Sequence, residues 1–250
     1  LWGFAPLLQR FGQDVGFAQF VMGSCIVLYA LMLFVDPSGI NAGGLLNFLS
    51  PSGRSLFLFG SSGVTPVFAA GRWWTVLTAG WLHGGLLHIL FNMMWIRQLA
   101  PPASELYGPS RMIIIYTIGG ITGFTASTLA GAFVPVLGGA GFTVGASAPI
   151  FGLLGALIYY GRRTGSSAVG DQAKSWAIAL FVIGFIIPGV DNWAHLGGFV
   201  GGYAASRFLD PLRPERPDHL IIALICLGAT GVAIVFSIVH GLALFRSLAP

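Results

Sequence analysis

Runs free of Asp, Glu, Lys and Arg recur along the chain: Val15–Val35, Trp73–Ile96, Met112–Gly161, Ser175–Val190, Asn192–Ser206 and His219–Phe245. Within them apolar residues follow one another continuously, without the alternation of a membrane-barrel strand, so the pattern predicts helices. Met112–Gly161 is 50 residues long, too long for one helix. Pro135 and the cluster Gly138, Gly139, Gly141 divide it in two. Pro188-Gly189 and Asp191 separate the next pair of runs. Seven candidate helices result. The second is expected to stop at Pro101-Pro102 and not at Arg97, because an arginine can snorkel to the interface.

Composition decides the solvent. Only 8% of residues are charged, 55% are apolar, mean hydropathy is +0.83 and Gly reaches 37 residues. Soluble domains carry about 25% charged residues. These values exclude a soluble globular enzyme, a disordered tail and a disulfide scaffold, and they make the lipid bilayer the solvent. The fold class expected is all-α, a polytopic membrane helical bundle. Cys25 and Cys226 lie in apolar runs without metal-type spacing, so neither a structural disulfide nor a zinc site is expected. The chain starts at Leu1 without a Met and reads as a trimmed fragment, with nothing at its start resembling a cleavable signal peptide.

Eleven of the twelve basic residues are Arg, and they are scattered. They read as topology signals and not as a nucleic-acid surface. With the N-terminus cytoplasmic, the inner segments hold nine: Arg10, Arg97, Arg111, Arg162, Arg163, Lys174, Arg207, Arg213 and Arg216. The outer segments hold three: Arg54, Arg72 and Arg246. The expectation is therefore N-terminus inside and C-terminus outside.

Two segments stand apart. Residues 36–72 form a long outer loop rich in Gly, Ser and Pro that also carries Leu45, Leu46, Phe48, Leu49, Leu56, Phe57, Leu58 and Phe59. It is either a set of short amphipathic helices in the bilayer interface or a lid packed on the bundle. The fourth helix, from about Ala146 to Gly161, rises only about 22 Å against a hydrocarbon core of about 30 Å. Its cytoplasmic end is marked by Arg162-Arg163. Its outer end therefore stops about 8 Å below the outer surface, and the Gly-rich approach 138–146 should border a water-accessible cavity with Ser147 at its rim.

Ionisable residues inside a membrane are functional candidates by default. His195 lies four residues past Asp191, about 6 Å deep. His88 lies about 9 Å below the outer surface, with Asn92 one turn deeper on the same face. Ser147, His195, His88 and Asn92 thus meet at similar depths on three helices. Gly198 and Gly202 share the face of His195, and Ala148, Gly152 and Gly155 form a stripe beside Ser147. Such small-residue stripes let backbones touch. Each residue also has a plainer role: Ser147 in packing, His195 as an interhelical donor, His88 and Asn92 as hydrogen-bonding glue. His83 is expected a turn and a half above His88, in structure or substrate contact. His219 and His240 read as interfacial.

These strings resemble the rhomboid family of intramembrane serine proteases: Arg72-Trp-Trp-Thr, His83-Gly-Gly-Leu-Leu-His88-Ile-Leu-Phe-Asn92, Gly145-Ala-Ser147-Ala-Pro-Ile-Phe151-Gly, and Ala194-His195-Leu-Gly-Gly-Phe-Val-Gly-Gly202. The resemblance covers about residues 15–210 and implies a six-helix protease core over 1–210. Residues 211–250 would be a linker and a C-terminal seventh helix, as in the six-plus-one form. It further implies Ser147 as nucleophile and His195 as general base, a dyad without a carboxylate. An oxyanion hole would come from the Ser147 N–H, Asn92 and His88, and Phe151 would pack on the His195 ring. Gly145, Gly198 and Gly202 would support the site. One departure is visible: family members usually read Gly-x-Ser-Gly, and here Ala148 follows the serine.

The implied substrates are membrane-spanning proteins whose helices unwind easily and carry a small residue before the scissile bond. The fifth helix and its outer loop, about Trp176–Asn192, would be the gate. No metal and no organic cofactor enter this chemistry. The expected location is multi-pass in a bacterial cell membrane, with the site opening to the outer side. The rival within the family is a weak or inactive rhomboid-like protein that binds client helices. A His-Glu-x-x-His metalloprotease is excluded because no Glu follows any His, and an aspartyl protease because the spans lack a pair of acidic residues. A transporter of inverted repeats finds no internal repeat to support it.

Overall fold

The computed structural model describes residues 16–44, 46–134, 136 and 138–247. The described chain is helical, with α1 Gly16–Val35, α2 Gly53–Phe59, α3 Thr75–Thr78, α4 Leu86–Tyr107, α5 Pro109–Phe133, α6 Ser147–Thr164, α7 Ser167–Ile186, α8 Asn192–Phe208 and α9 Pro217–Ser247. Four of these, α1, α5, α7 and α9, are long and apolar enough to cross a membrane by length and composition. The other three long helices, α4, α6 and α8, carry the residues singled out above. Of these, α6 and α8 are rich in glycine, and α4 carries the polar His88, Asn92, Arg97 and Gln98.

Lipid is as apolar as leucine, so helices in it associate through close packing and interhelical hydrogen bonds. Glycine supplies the closeness here. The α5, α6 and α8 backbones nest at two levels: Gly119 against Gly152, and Gly198 against Ala148. A Cβ on Gly119 would stand 2.9 Å from the Gly152 Cα, and one on Gly155 would stand 2.9 Å from the Tyr203 N. Around this nucleus, α4 and α7 pack on α6, α1 on α4, and α9 on α5 and α2. In α6 every residue from Ala148 to Ile158 is buried, as expected for the central helix.

Several boundaries differ from expectation. The second run is not one helix. It breaks after a short turn at Ala79–Trp81, and α4 begins only at Leu86. Pro101 and Pro102 do not end α4, which continues to Tyr107; membrane helices tolerate proline when neighbouring groups satisfy the freed backbone. The fifth long helix begins at Ser167, so Asp171 and Lys174 lie within it. Pro135, Leu45 and Arg10 lie outside the described residues.

Segment 36–72 carries a short helix and mixes buried with exposed apolar residues. Helix α2 is capped by the Ser52 hydroxyl, which accepts from the Ser55 N–H at 3.1 Å, and closes at Gly60 in the left-handed region. Its Leu58 and Phe59 are buried, whereas Leu46, Phe48 and Phe68 remain exposed. Two of the arginines counted as topology signals also prove structural. Arg72 is fully buried, and Arg111 is 4% exposed. Arg111 donates to the carbonyls of Tyr107, Asp210 and Arg213, and its N–H donates to Glu215. This stitches the 210–216 linker to the start of α5.

Candidate active site

Helix α6 begins at Ser147 without a side-chain cap, because Ala146 holds the N-cap position. The first turn of any helix leaves N–H groups without intrahelical partners. Pro149 has none to offer, and the Ile150 N–H donates to Ala146 O at 3.0 Å. The open donors are therefore those of Ser147 and Ala148. They point out of the end of the helix that carries the Ser147 hydroxyl, at a dipole end that favours negative charge.

His195 lies in the first turn of α8, 6% exposed. Its ring stacks on Phe151, with centroids 4.3 Å apart and planes 15° from parallel. Phe151 is one turn below Ser147 on α6, so the stack brings the imidazole to the serine's side of that helix. The backbones also meet here, since a Cβ on Gly198 would stand 2.9 Å from the Ala148 carbonyl carbon. Among the described residues no hydrogen bond joins the Ser147 hydroxyl to His195. Catalytic hydrogen bonds often tighten only in the substrate complex.

Asp191 is the nearest carboxylate in sequence, and it is committed elsewhere. Its Oδ1 accepts from the Ala194 N–H at 3.0 Å, capping α8, and its Oδ2 accepts from the Ser127 hydroxyl at 2.5 Å. The His195 Nδ1 is buried without a hydrogen-bond partner. Among the described residues, no carboxylate is hydrogen-bonded to the His195 ring.

His88 and Asn92 occupy the first two turns of α4. The His88 Nδ1 accepts from the Gly84 N–H at 3.3 Å, which selects the neutral tautomer protonated on Nε2. That Nε2 faces Gly145, where an added Cβ would come 2.7 Å from the His88 Cε1 and closer still to Nε2. Gly145 also sits at φ +131°, so only glycine suits both its backbone and its neighbour. Asn92 is 3% exposed, and its Nδ2 donates to His88 O at 2.8 Å. One carboxamide N–H remains beyond that bond.

His83 departs from expectation. It lies off the helix, in the bend before α4, fully buried against His88 with ring centroids 5.2 Å apart. Gly84-Gly85 directly after it is the sequence signal for that break. Gly202 packs on Gly152, one turn deeper than the Gly198 contact. Sequence reasoning passed over two residues. Gly123 accommodates the departure at Ala148, since a Cβ there would stand 2.7 Å from the Ala148 methyl. Ser127 anchors Asp191. An Asp immediately before an apolar run is a recognisable helix cap, and its distant partner is not legible.

Comparison with known proteins gives the family of the chain. Residues 70–211 match the family model described as the Rhomboid domain. The chain is 30% identical over 218 residues to rhomboid protease GluP of Bacillus subtilis (strain 168), covering 86% of this chain and 40% of that protein. It is 32% identical over 172 residues to RHOMBOID-like protein 1 of Arabidopsis thaliana, covering 67% of this chain and 42% of that one. With RHOMBOID-like protein 4 of the same plant it shares 33% over 171 residues, again 67% of this chain and 41% of the relative. The chain thus spans about two fifths of the length of each relative.

Proposed function

Because this chain belongs to the rhomboid family, its site can be read in that family's terms, and we propose that it is an intramembrane serine endopeptidase. It cuts the transmembrane segments of membrane proteins near the outer face of the bilayer. Ser147 is the nucleophile and His195 the general base. The observation that supports the reading is the Phe151–His195 stack beside the Ala148–Gly198 backbone contact, next to the uncapped helix end at Ser147.

The reaction proceeds in two halves. An unwound stretch of substrate enters from the outer side, past α7 and the loop that follows it. His195 takes the hydroxyl proton as Ser147 Oγ attacks the peptide carbonyl carbon. The oxyanion is held by the Ser147 N–H, the Asn92 carboxamide and the His88 Nε2–H, donors set before charge develops. The C–N bond breaks, and His195 protonates the departing amine. Water, deprotonated by His195, then hydrolyses the acyl-enzyme. Phe151 holds the imidazole plane, the role that a carboxylate fills in a triad.

In this reading all seven long helices lie within the bilayer. Arg111, Arg163, Asp210 and Arg213 meet at one end of the bundle, which agrees with a common cytoplasmic face for those segments. The N-terminus is inside and the C-terminus outside. The partners are membrane-spanning protein substrates.

A fluorophosphonate probe tests the proposal directly. It labels the detergent-solubilised protein, and Ser147→Ala abolishes both labelling and cleavage of a co-expressed single-span substrate. Cleavage that survives in Ser147→Ala overturns the assignment. An unlabelled wild type that still binds client helices points to a non-catalytic family member.

A further inference from the structure

The C-terminal helix α9 lies outside the machinery described so far, yet it makes the most specific contact with the outer loop. Arg72 is fully buried there. Its guanidinium donates to the carbonyls of Phe57 and Leu58, in the last turn of α2, and to Ser237 O of α9 at 2.8 Å. It also lies 4.3 Å over the Phe57 ring. The Trp74 Nε1–H donates to the Ser237 hydroxyl at 3.0 Å. A buried cation bonded only to carbonyls stays in place while every acceptor stays, because an unpaired buried charge is very costly.

The contact has a register. Ser237, Gly241 and Phe245 fall at i, i+4 and i+8, one face of α9. At Gly241 a Cβ would stand 2.9 Å from the Leu58 Cδ1 and 3.3 Å from its Cα. Phe245 meets Phe57 at 5.9 Å and carries Arg54 at 4.8 Å over its ring. By contrast, Gly228 and Gly231 of the same helix have nothing within 4 Å of an added Cβ. Contact with α2 is confined to the outer half of α9.

What α2 holds in turn is the approach to Ser147. The chain leaving α2 pairs with the Gly-rich segment: Ser62 and Thr143 exchange backbone hydrogen bonds of 3.0 and 2.8 Å. The Val64 N–H donates to Ala140 O at 3.1 Å and the Thr65 N–H to Gly141 O at 3.2 Å. The Thr78 hydroxyl donates to Gly60 O, and the Gly145 N–H donates to Ala79 O at 2.9 Å. A continuous set of side-chain and backbone hydrogen bonds therefore runs from the α9 clamp to the residue that faces His88.

We propose that α9 is a positioning element of the active site. Its Ser237–Gly241–Phe245 face fixes α2 through Arg72 and Trp74, and α2 in turn templates the backbone that presents Ser147 and the oxyanion donors. The inference rests on the protease reading above. Ser237 and Gly241 are positioning residues, since neither touches substrate.

The test uses the full chain in proteoliposomes with a single-span substrate and a fluorophosphonate probe. Gly241→Leu wedges α2 away from α9, and Gly231→Leu places the same side chain where nothing is displaced. The expected result is a kcat about tenfold lower for Gly241→Leu, with KM changed less than twofold and probe labelling of Ser147 slowed in parallel. Gly231→Leu stays within twofold of wild type. Ser237→Ala gives a milder loss, about threefold, and Ser237→Thr, which keeps the hydroxyl, restores the rate. The proposal is overturned if Gly241→Leu keeps wild-type kcat, if its loss lies in KM alone, or if Gly231→Leu falls equally. It is also overturned if Ser237→Thr is no better than Ser237→Ala. A wild-type protein that the probe does not label overturns the protease reading instead, so the two failures are separable.

Discussion

Gly198→Ala is the sharpest probe of the site, because it adds one methyl at the point where two site helices touch. The new Cβ would stand 2.9 Å from the Ala148 carbonyl carbon and 3.2 Å from its Cα, and closer still to its oxygen. These are backbone atoms and cannot rotate aside. Carbon atoms pack best at about 3.5–4.0 Å, so α8 has to retreat from α6 by about 0.5–1 Å. Overpacking of this kind costs about 1–3 kcal/mol of stability. Catalysis should suffer in proportion to the shift, since Ala148 adjoins Ser147 and His195 lies one turn before Gly198. A displacement near 1 Å costs about 10²-fold in rate, and the expected loss in kcat is about 10- to 100-fold. The assay pairs initial cleavage rates in proteoliposomes with unfolding in mixed micelles. Gly228→Ala, which meets nothing within 4 Å, should change neither. Adding Ala148→Gly should not rescue Gly198→Ala, because the clash is with backbone and not with the Ala148 methyl. A folded Gly198→Ala enzyme within twofold of wild type would refute the reasoning, as would rescue by Ala148→Gly.

Two further predictions concern the same site. Asn92→Ala should lower kcat by about 10²–10³ with stability little changed, as expected for loss of an oxyanion donor; a normal rate with a weakened fold would make Asn92 a packing residue. Asp191→Ala should cost about 1–2 kcal/mol by uncapping α8, whereas Asp191→Asn should keep most of that stability because Asn caps equally well. Equal losses from both, read by the same unfolding assay, would mean that the charge matters and not the cap.

Much of the fold was legible because membrane helices announce themselves by where charge is missing. The start of α6 at Ser147 and the stacking of Phe151 on His195 both agree with what the sequence implied. The structure diverges where a local signal met a neighbour. Pro101-Pro102 reads as a stop, but α4 runs through it within the bundle. His83 and His88 look like members of one helix, but Gly84-Gly85 opens the backbone, and the Gly84 N–H turns back to the His88 ring. Arg72 reads as a loop charge. Its burial depends on carbonyls of α2 and α9, and Ser237 lies 165 residues away in sequence. No pattern along one strand of sequence encodes such a partner. The Asp191–Ser127 bond and the fit of Ala148 against Gly123 were invisible for the same reason.

The division of labour among the helices has a consequence for how the molecule is made. Helices α1, α5, α7 and α9 have the length and apolarity to enter lipid individually, and α4, α6 and α8 do not meet that standard. The weaker three depend on the bundle for cover: α6 and α8 pack on each other and on α5, and α4 packs on α6. In the proposed reading, nucleophile, base and oxyanion donors are distributed over those three. In that reading they can come together only once all three segments are enclosed in the bundle. A half-inserted chain would then lack a complete site, and completion of folding would itself be the event that switches the site on.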